Sequence, residues 1–85
     1  MKGKPLDTFY AEQQENFGKR LREIRKAKKM TQVDLEIATG IANTELSKIE
    51  NGLVNFEFYT VCKLAHALSV SIPDLFAEAA DTPSQ

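Results

Sequence analysis

The sequence predicts an all-α fold, a bundle of five short helices. Apolar residues recur at spacings of three and four along most of the chain, the period of a helix face rather than of a strand. Helix-start and helix-stop residues alternate at short intervals. The one stretch of strand-like composition, Leu53 to Tyr59, is too short and too isolated to found a sheet.

The first helix is anchored by Phe17, Leu21 and Ile24, which recur at i, i+4 and i+7 within residues 16–29. Asp7 is a candidate cap for an earlier start, with Phe9 and Gln13 leading toward Phe17. Residues 1–15 therefore read as an N-terminal extension that can itself be helical. Gly18 weakens the join by about 1 kcal/mol relative to Ala but does not forbid it. Thr31-Gln32-Val33-Asp34 reads as a capping box opening the second helix, and Gly40 closes it in the left-handed conformation that glycine adopts at little cost. A third helix spans about 42–51, with Leu46 and Ile49 inward and Asn51-Gly52 as its stop. The fourth, about 57–69, carries Val61, Leu64, Ala65 and Leu68 on one face. Ser71-Ile72-Pro73-Asp74 caps a short fifth helix with Leu75 and Phe76. The helical domain is thus expected over 16–79, followed by a frayed tail at 80–85.

Eighty-five residues suit one small domain. A single cysteine, Cys62, excludes an internal disulfide. The lone His66 cannot build a Cys/His zinc site with it. No apolar run approaches the length of a membrane span, so a reduced, cytoplasmic setting is expected. Without a glycine-rich phosphate loop, metal-ligand spacing or a nucleophile–base pair, neither a cofactor nor an enzymatic activity is expected. Cys62 reads as core filler, His66 as an exposed helix residue, and Phe56, Phe58 and Tyr59 as cover for the core below the fourth helix.

The net charge of −1 hides an uneven distribution. Seven of the eleven basic residues (Lys19, Arg20, Arg22, Arg25, Lys26, Lys28 and Lys29) fall in one short stretch with a single acid, Glu23. The rest of the chain is acidic. Such a stripe is either a solvated helix face or a phosphate-binding surface.

Only Gly40-Ile41 separates the second and third helices, which makes them cross steeply. The outer side of the third helix offers Asn43, Thr44, Ser47, Lys48 and Asn51, hydrogen-bonding groups plus one cation. A helix with that set can enter a DNA major groove, where Asn pairs with adenine and Lys with guanine. Gln32, at the start of the second helix, is placed to touch an adjacent phosphate.

The run Thr31-Gln32-Val33-Asp34-Leu35, then Gly40-Ile41, then Leu46-Ser47-Lys48-Ile49-Glu50-Asn51-Gly52 resembles the lambda-repressor-like helix-turn-helix family. The resemblance extends to Phe17-Gly18-Lys19-Arg20-Leu21-Arg22-Glu23-Ile24-Arg25 before it and to residues 64–72 after it. It implies a sequence-specific transcriptional regulator of repressor or controller type, a homodimer on a near-palindromic double-stranded DNA operator. It implies that Asn43, Thr44, Ser47 and Lys48 face base edges and that Gln32 and Asn51 contact phosphates. An Arg25–Glu50 pair would tie the first helix to the end of the third, with Arg25 also within reach of a phosphate. Arg20 and Arg22 read equally as backbone contacts or as solvated charges. Part of the Ile72, Leu75 and Phe76 cluster becomes a candidate dimer seam, the alternative being core. Contact with the transcription machinery or another protein stays open.

Four departures from the family pattern bear on function. Glu36 stands where a small residue is usual, so it must swing out or hold two helices apart. Ala42 replaces the usual Ser or Thr cap, which leaves Asn43 to cap instead of read. Glu45 suits the helix dipole more than a base. The loop from Leu53 to Glu57 has no basic residue where the family commonly carries them, which lowers non-specific affinity. The acidic balance of the chain, the non-basic loop and Glu36 favour the competing reading, an antitoxin-like interaction module of the same fold with weak or no DNA binding.

Overall fold

The computed structural model describes residues 3–80. Its helices are α1 (Leu6–Ala27), α2 (Gln32–Thr39), α3 (Asn43–Glu50), α4 (Phe58–Leu68) and α5 (Ile72–Phe76). No strand occurs among the described residues. The frayed tail expected at 80–85 lies, from 81 on, outside them.

Both sequence-predicted capping boxes are present. Thr31 Oγ1 accepts from the Asp34 N–H at 3.0 Å while the Asp34 carboxylate accepts from the Thr31 N–H at 2.8 Å. Ser71 and Asp74 make the same exchange at 3.2 and 3.3 Å. Each pair satisfies two N–H groups that the first turn leaves without a helical partner. Gly40 closes α2 with φ of +77°.

α1 packs on α3 and α5, α2 on α3 and α4, and α4 on α5. Between them Phe17, Leu21, Leu35, Leu46, Ile49, Leu64, Leu68 and Leu75 are fully buried. α1 begins at Leu6 with Pro5 as its N-cap residue, rather than being capped by Asp7, and runs unbroken through Gly18. A Cβ on Gly18 would lie 2.4 Å from the Glu50 carbonyl oxygen and 2.6 Å from that of Ile49. The glycine is therefore where α1 meets the end of α3, and its missing side chain sets their spacing.

Two aromatic expectations fail. Phe56 does cover the core, stacking on Phe17 with ring centroids 4.7 Å apart. Phe58 and Tyr59, by contrast, are 68% and 69% exposed. They are the first two residues of α4, and neither joins its buried set of Val61, Leu64, Ala65 and Leu68. Tyr59 instead underlies Lys63, whose ammonium sits 5.2 Å from the ring centroid. Cys62 is half-buried and His66 exposed.

Candidate nucleic-acid interface

The site is built on α3, eight residues long and two-faced. Leu46 and Ile49 fix it to the core. Thr44 and Lys48 are exposed, and Asn43 and Ser47 are half-buried. Ala42 occupies the N-cap position without a side-chain cap bond. Asn43 is therefore the first helical residue rather than the replacement cap, and its amide keeps its hydrogen-bonding capacity. Asn51, the C-cap residue, donates from Nδ2 to the Ser47 carbonyl at 2.9 Å, tidying the last turn. Glu36 stays half-buried, while Leu35 and Leu46 on either side of the α2–α3 contact are completely covered.

A buried polar cluster holds the end of α3. Arg25 donates from Nε to Glu50 Oε2 at 2.6 Å and from a terminal nitrogen to Oε1 at 3.0 Å, a two-pronged pair. Its other terminal nitrogen donates to the Met30 carbonyl at 2.8 Å. Gln32 Nε2 adds a third bond to Glu50 Oε1 at 3.1 Å. The Glu50 carboxylate thus joins α1 and α2 to α3, and Arg25 ties in the α1–α2 turn. Planar bidentate geometry makes such pairs directional, so the cluster fixes the angle of α3 as well as its distance. The hydrogen bond that Arg25 donates to Glu50 holds its guanidinium above its ordinary pKa, with burial opposing and the Glu50 charge assisting. A raised cationic pKa contributes stability that is complete below the ordinary arginine value and is lost only as pH rises through the raised one.

These contacts revise several roles expected from the sequence. Arg25 is buried with its guanidinium engaged on protein groups, so it is not placed to reach a phosphate. The Gln32 amide is turned inward onto Glu50. Arg20 lies against α5, donating to the Asp74 carbonyl and to Glu23 Oε1, both at 2.7 Å, and so is a packing residue. In the expected dimer seam, Leu75 is fully buried within its own chain, Ile72 is half-buried and packed against the core, and only Phe76 is exposed. Leu75 is a core residue because α5 turns it onto α1 and α4.

Of the remaining cations of the stripe, Lys19 pairs with Glu15 at 3.4 Å, while Arg22, Lys26, Lys28 and Lys29 are exposed and without an ion pair among the described residues. A groove between α1 and the end of α3 is lined by Lys19, Arg22, Lys26 and Asn51 together with Glu15, Glu23 and Glu50. Lys28 is the C-cap of α1 and Lys29 follows it with φ of +59°. That left-handed position ordinarily favours glycine, and a side chain there costs roughly 1–2 kcal/mol. The family resemblance anticipated the Arg25–Glu50 pair, 25 residues apart, whereas the contact of Arg20 with the Asp74 carbonyl, 54 residues away, has no signal in local composition.

The helix-turn-helix family model HTH_3 matches residues 21–75. Among curated proteins, the uncharacterized HTH-type transcriptional regulator RghRB of Bacillus subtilis (strain 168) is 42% identical over 64 residues, 74% of this chain and 46% of that protein. The chain thus spans about half the length of that relative. Among solved structures, the restriction-modification controller protein C.AhdI from Aeromonas hydrophila is 35% identical with a TM-score of 0.71, over 73% of this chain and 94% of that one. The clp gene regulator ClgR from C. glutamicum is 30% identical with a TM-score of 0.74, over 91% and 92%. An HTH_3 family transcriptional regulator from Vibrio cholerae shares the fold at a TM-score of 0.76 and 24% identity, over 80% of this chain and 38% of that one.

Proposed function

This chain belongs to the Cro/cI-type helix-turn-helix family, and on that premise we propose that it binds double-stranded DNA sequence-specifically as a transcriptional regulator of repressor or controller type. In this reading it acts as a homodimer on a near-palindromic operator, with α3 in the major groove. The observation that carries it is the outward face of α3. Asn43, Thr44, Ser47 and Lys48 present donors, acceptors and a cation on a helix held rigid behind by the Arg25–Glu50–Gln32 cluster. Rigid support is what direct readout needs, because a bidentate base contact is intolerant of displacement.

Phosphate contacts fall to Arg22, Lys26, Lys28, Lys29 and Asn51. Gln32 acts as a positioning residue, through Glu50. The loop from Leu53 to Glu57 supplies no cation, so binding is expected to depend on salt less steeply than in relatives with a basic loop.

That loop is also what favours an interaction module of the same fold. A mobility shift on an arbitrary duplex separates the two readings. Retardation at low salt that fades as salt rises supports DNA binding. No retardation at any salt removes it and leaves the interaction module.

A further inference from the structure

The N-terminal half of α1 carries an apolar stripe that extends beyond the core of its own chain. Leu6, Phe9, Tyr10, Gln13 and Phe17 follow one another at steps of three, one, three and four, which keeps them within about 100° of helix surface. Phe17 is buried, whereas Leu6 is 76% and Phe9 51% exposed. The stripe therefore starts in the core and runs out of it.

Two walls flank it. On one side Gln14 Nε2 donates to the Val54 carbonyl at 2.9 Å, and Tyr10 hydrogen-bonds Asn55, which fixes the loop after α3 against α1. On the other, Asn16 holds the Ala77 carbonyl and the Ala79 N–H, both at 3.0 Å, while Phe76 stacks 4.9 Å from Phe17. Between the walls lies an open apolar groove of about 170 Å³ lined by Tyr10, Gln13, Gln14, Phe17, Phe56 and Phe76.

We propose that this groove is the homodimer seam, and that a second copy of the chain fills it with Leu6 and Phe9 of its own α1. The inference rests on the dimeric part of the reading above and is independent of DNA binding. Self-complementarity is the argument for a second copy. One helix carries both the projecting side chains and the groove wall, so an antiparallel α1–α1 pair centred between Phe9 and Tyr10 sets Leu6 of each copy opposite Gln13 of the other. Such mutual exchange is what a two-fold interface requires. The size agrees, since a cavity of about 150 Å³ accepts a benzene ring.

The area agrees as well. An aromatic side chain buries roughly 150–250 Å², so the exposed halves of Phe9, Tyr10 and Phe76 with Leu6 offer roughly 400 Å² of apolar surface. At the roughly 60% apolar content of protein interfaces this corresponds to about 650 Å² per copy, near the roughly 800 Å² of a standard one. Residues 77–80 do not compete for the groove. Ala80 is drawn to Glu23, two turns of α1 further from Leu6.

The test is sedimentation of the full chain, without DNA, over a concentration series reaching the micromolar range, for the wild type, Leu6→Ser and the pair Leu6→Ser with Phe9→Ser. Both positions are exposed, so thermal melts should show the variants folded. The expected result is a dimeric wild type, association weakened in order by the single and double changes, and at least a tenfold rise in the dimer dissociation constant for the double. A monomeric wild type, or a double variant as dimeric as the wild type, overturns the proposal. A wild type that dimerises through these residues but shifts no duplex would instead retain the seam and reject the DNA reading.

Discussion

Gly18 is the position where the α1–α3 packing can be tested most sharply. Replacing it with Ala places a Cβ 2.4 Å from the Glu50 carbonyl oxygen, 2.6 Å from that of Ile49 and 2.7 Å from the Glu50 carbonyl carbon. All three are backbone atoms and cannot rotate aside. Reaching an ordinary contact of about 3.4 Å requires the end of α3 to retreat by about 1 Å. That movement also strains the Arg25–Glu50 bonds, now 2.6 and 3.0 Å. Against this stands a gain of about 1 kcal/mol from exchanging Gly for Ala within a helix. Overpacking ordinarily costs about 1–3 kcal/mol, and a triple backbone clash belongs at the upper end. The balance is a net loss of about 2 kcal/mol, equivalent to a melting temperature lowered by about 10 °C in a domain of this size. Circular dichroism melts, with urea denaturation as a second measure, read it directly. A Gly18→Ala protein as stable as the wild type, or more stable, would refute the close approach of α1 and α3.

Three further predictions follow from the same contacts. Glu50→Ala leaves the Arg25 cation buried without its partner and is expected to cost about 3–5 kcal/mol, whereas Arg25→Met combined with Glu50→Leu recovers most of that loss; equal denaturation midpoints for the single and double variants would contradict a buried pair. Ala42→Ser supplies the cap that α3 lacks and is expected to raise stability by about 1 kcal/mol, measured by the same melts; no gain would mean that the first turn is already satisfied. In binding assays, Lys48→Ala is expected to cost about 1–3 kcal/mol and relax preference at one base position, while Lys29→Ala weakens all sequences alike and lowers the salt slope by about one. Reversed behaviour of the two lysines would exchange their roles.

The features legible in the sequence were those encoded locally. The Thr31 and Ser71 capping boxes and the Gly40 stop each need only a few adjacent residues, so their reading needed no knowledge of the rest of the chain. The inward set on α4 followed from helical spacing alone. What escaped was decided by which elements meet. Gly18 reads locally as a weak point in a helix and acquires its purpose only once α3 lies against it. Leu75 and Phe76 are neighbours of similar hydrophobicity, and the docking angle of α5 alone buries one and exposes the other. Arg20 and Arg22 belong to the same basic stretch, yet only Arg20 finds a carbonyl of α5 beside it. Phe58 and Tyr59 have core-like composition, but the start of α4 turns them outward. At the interface, the polar face of α3 was readable from its residue types, whereas the inward turn of Gln32 depended on a carboxylate 18 residues away.

The central claim is that α3 reads DNA sequence, in two copies related by two-fold symmetry. Selection of bound duplexes from a random-sequence pool by the purified chain, at near-physiological salt, tests it most directly. The predicted result is an enriched site with inverted half-sites about 10 base pairs apart, centre to centre, as two reading helices one DNA turn apart require. A pool with no enriched sequence, from a protein that also fails to retard duplex at low salt, would contradict it.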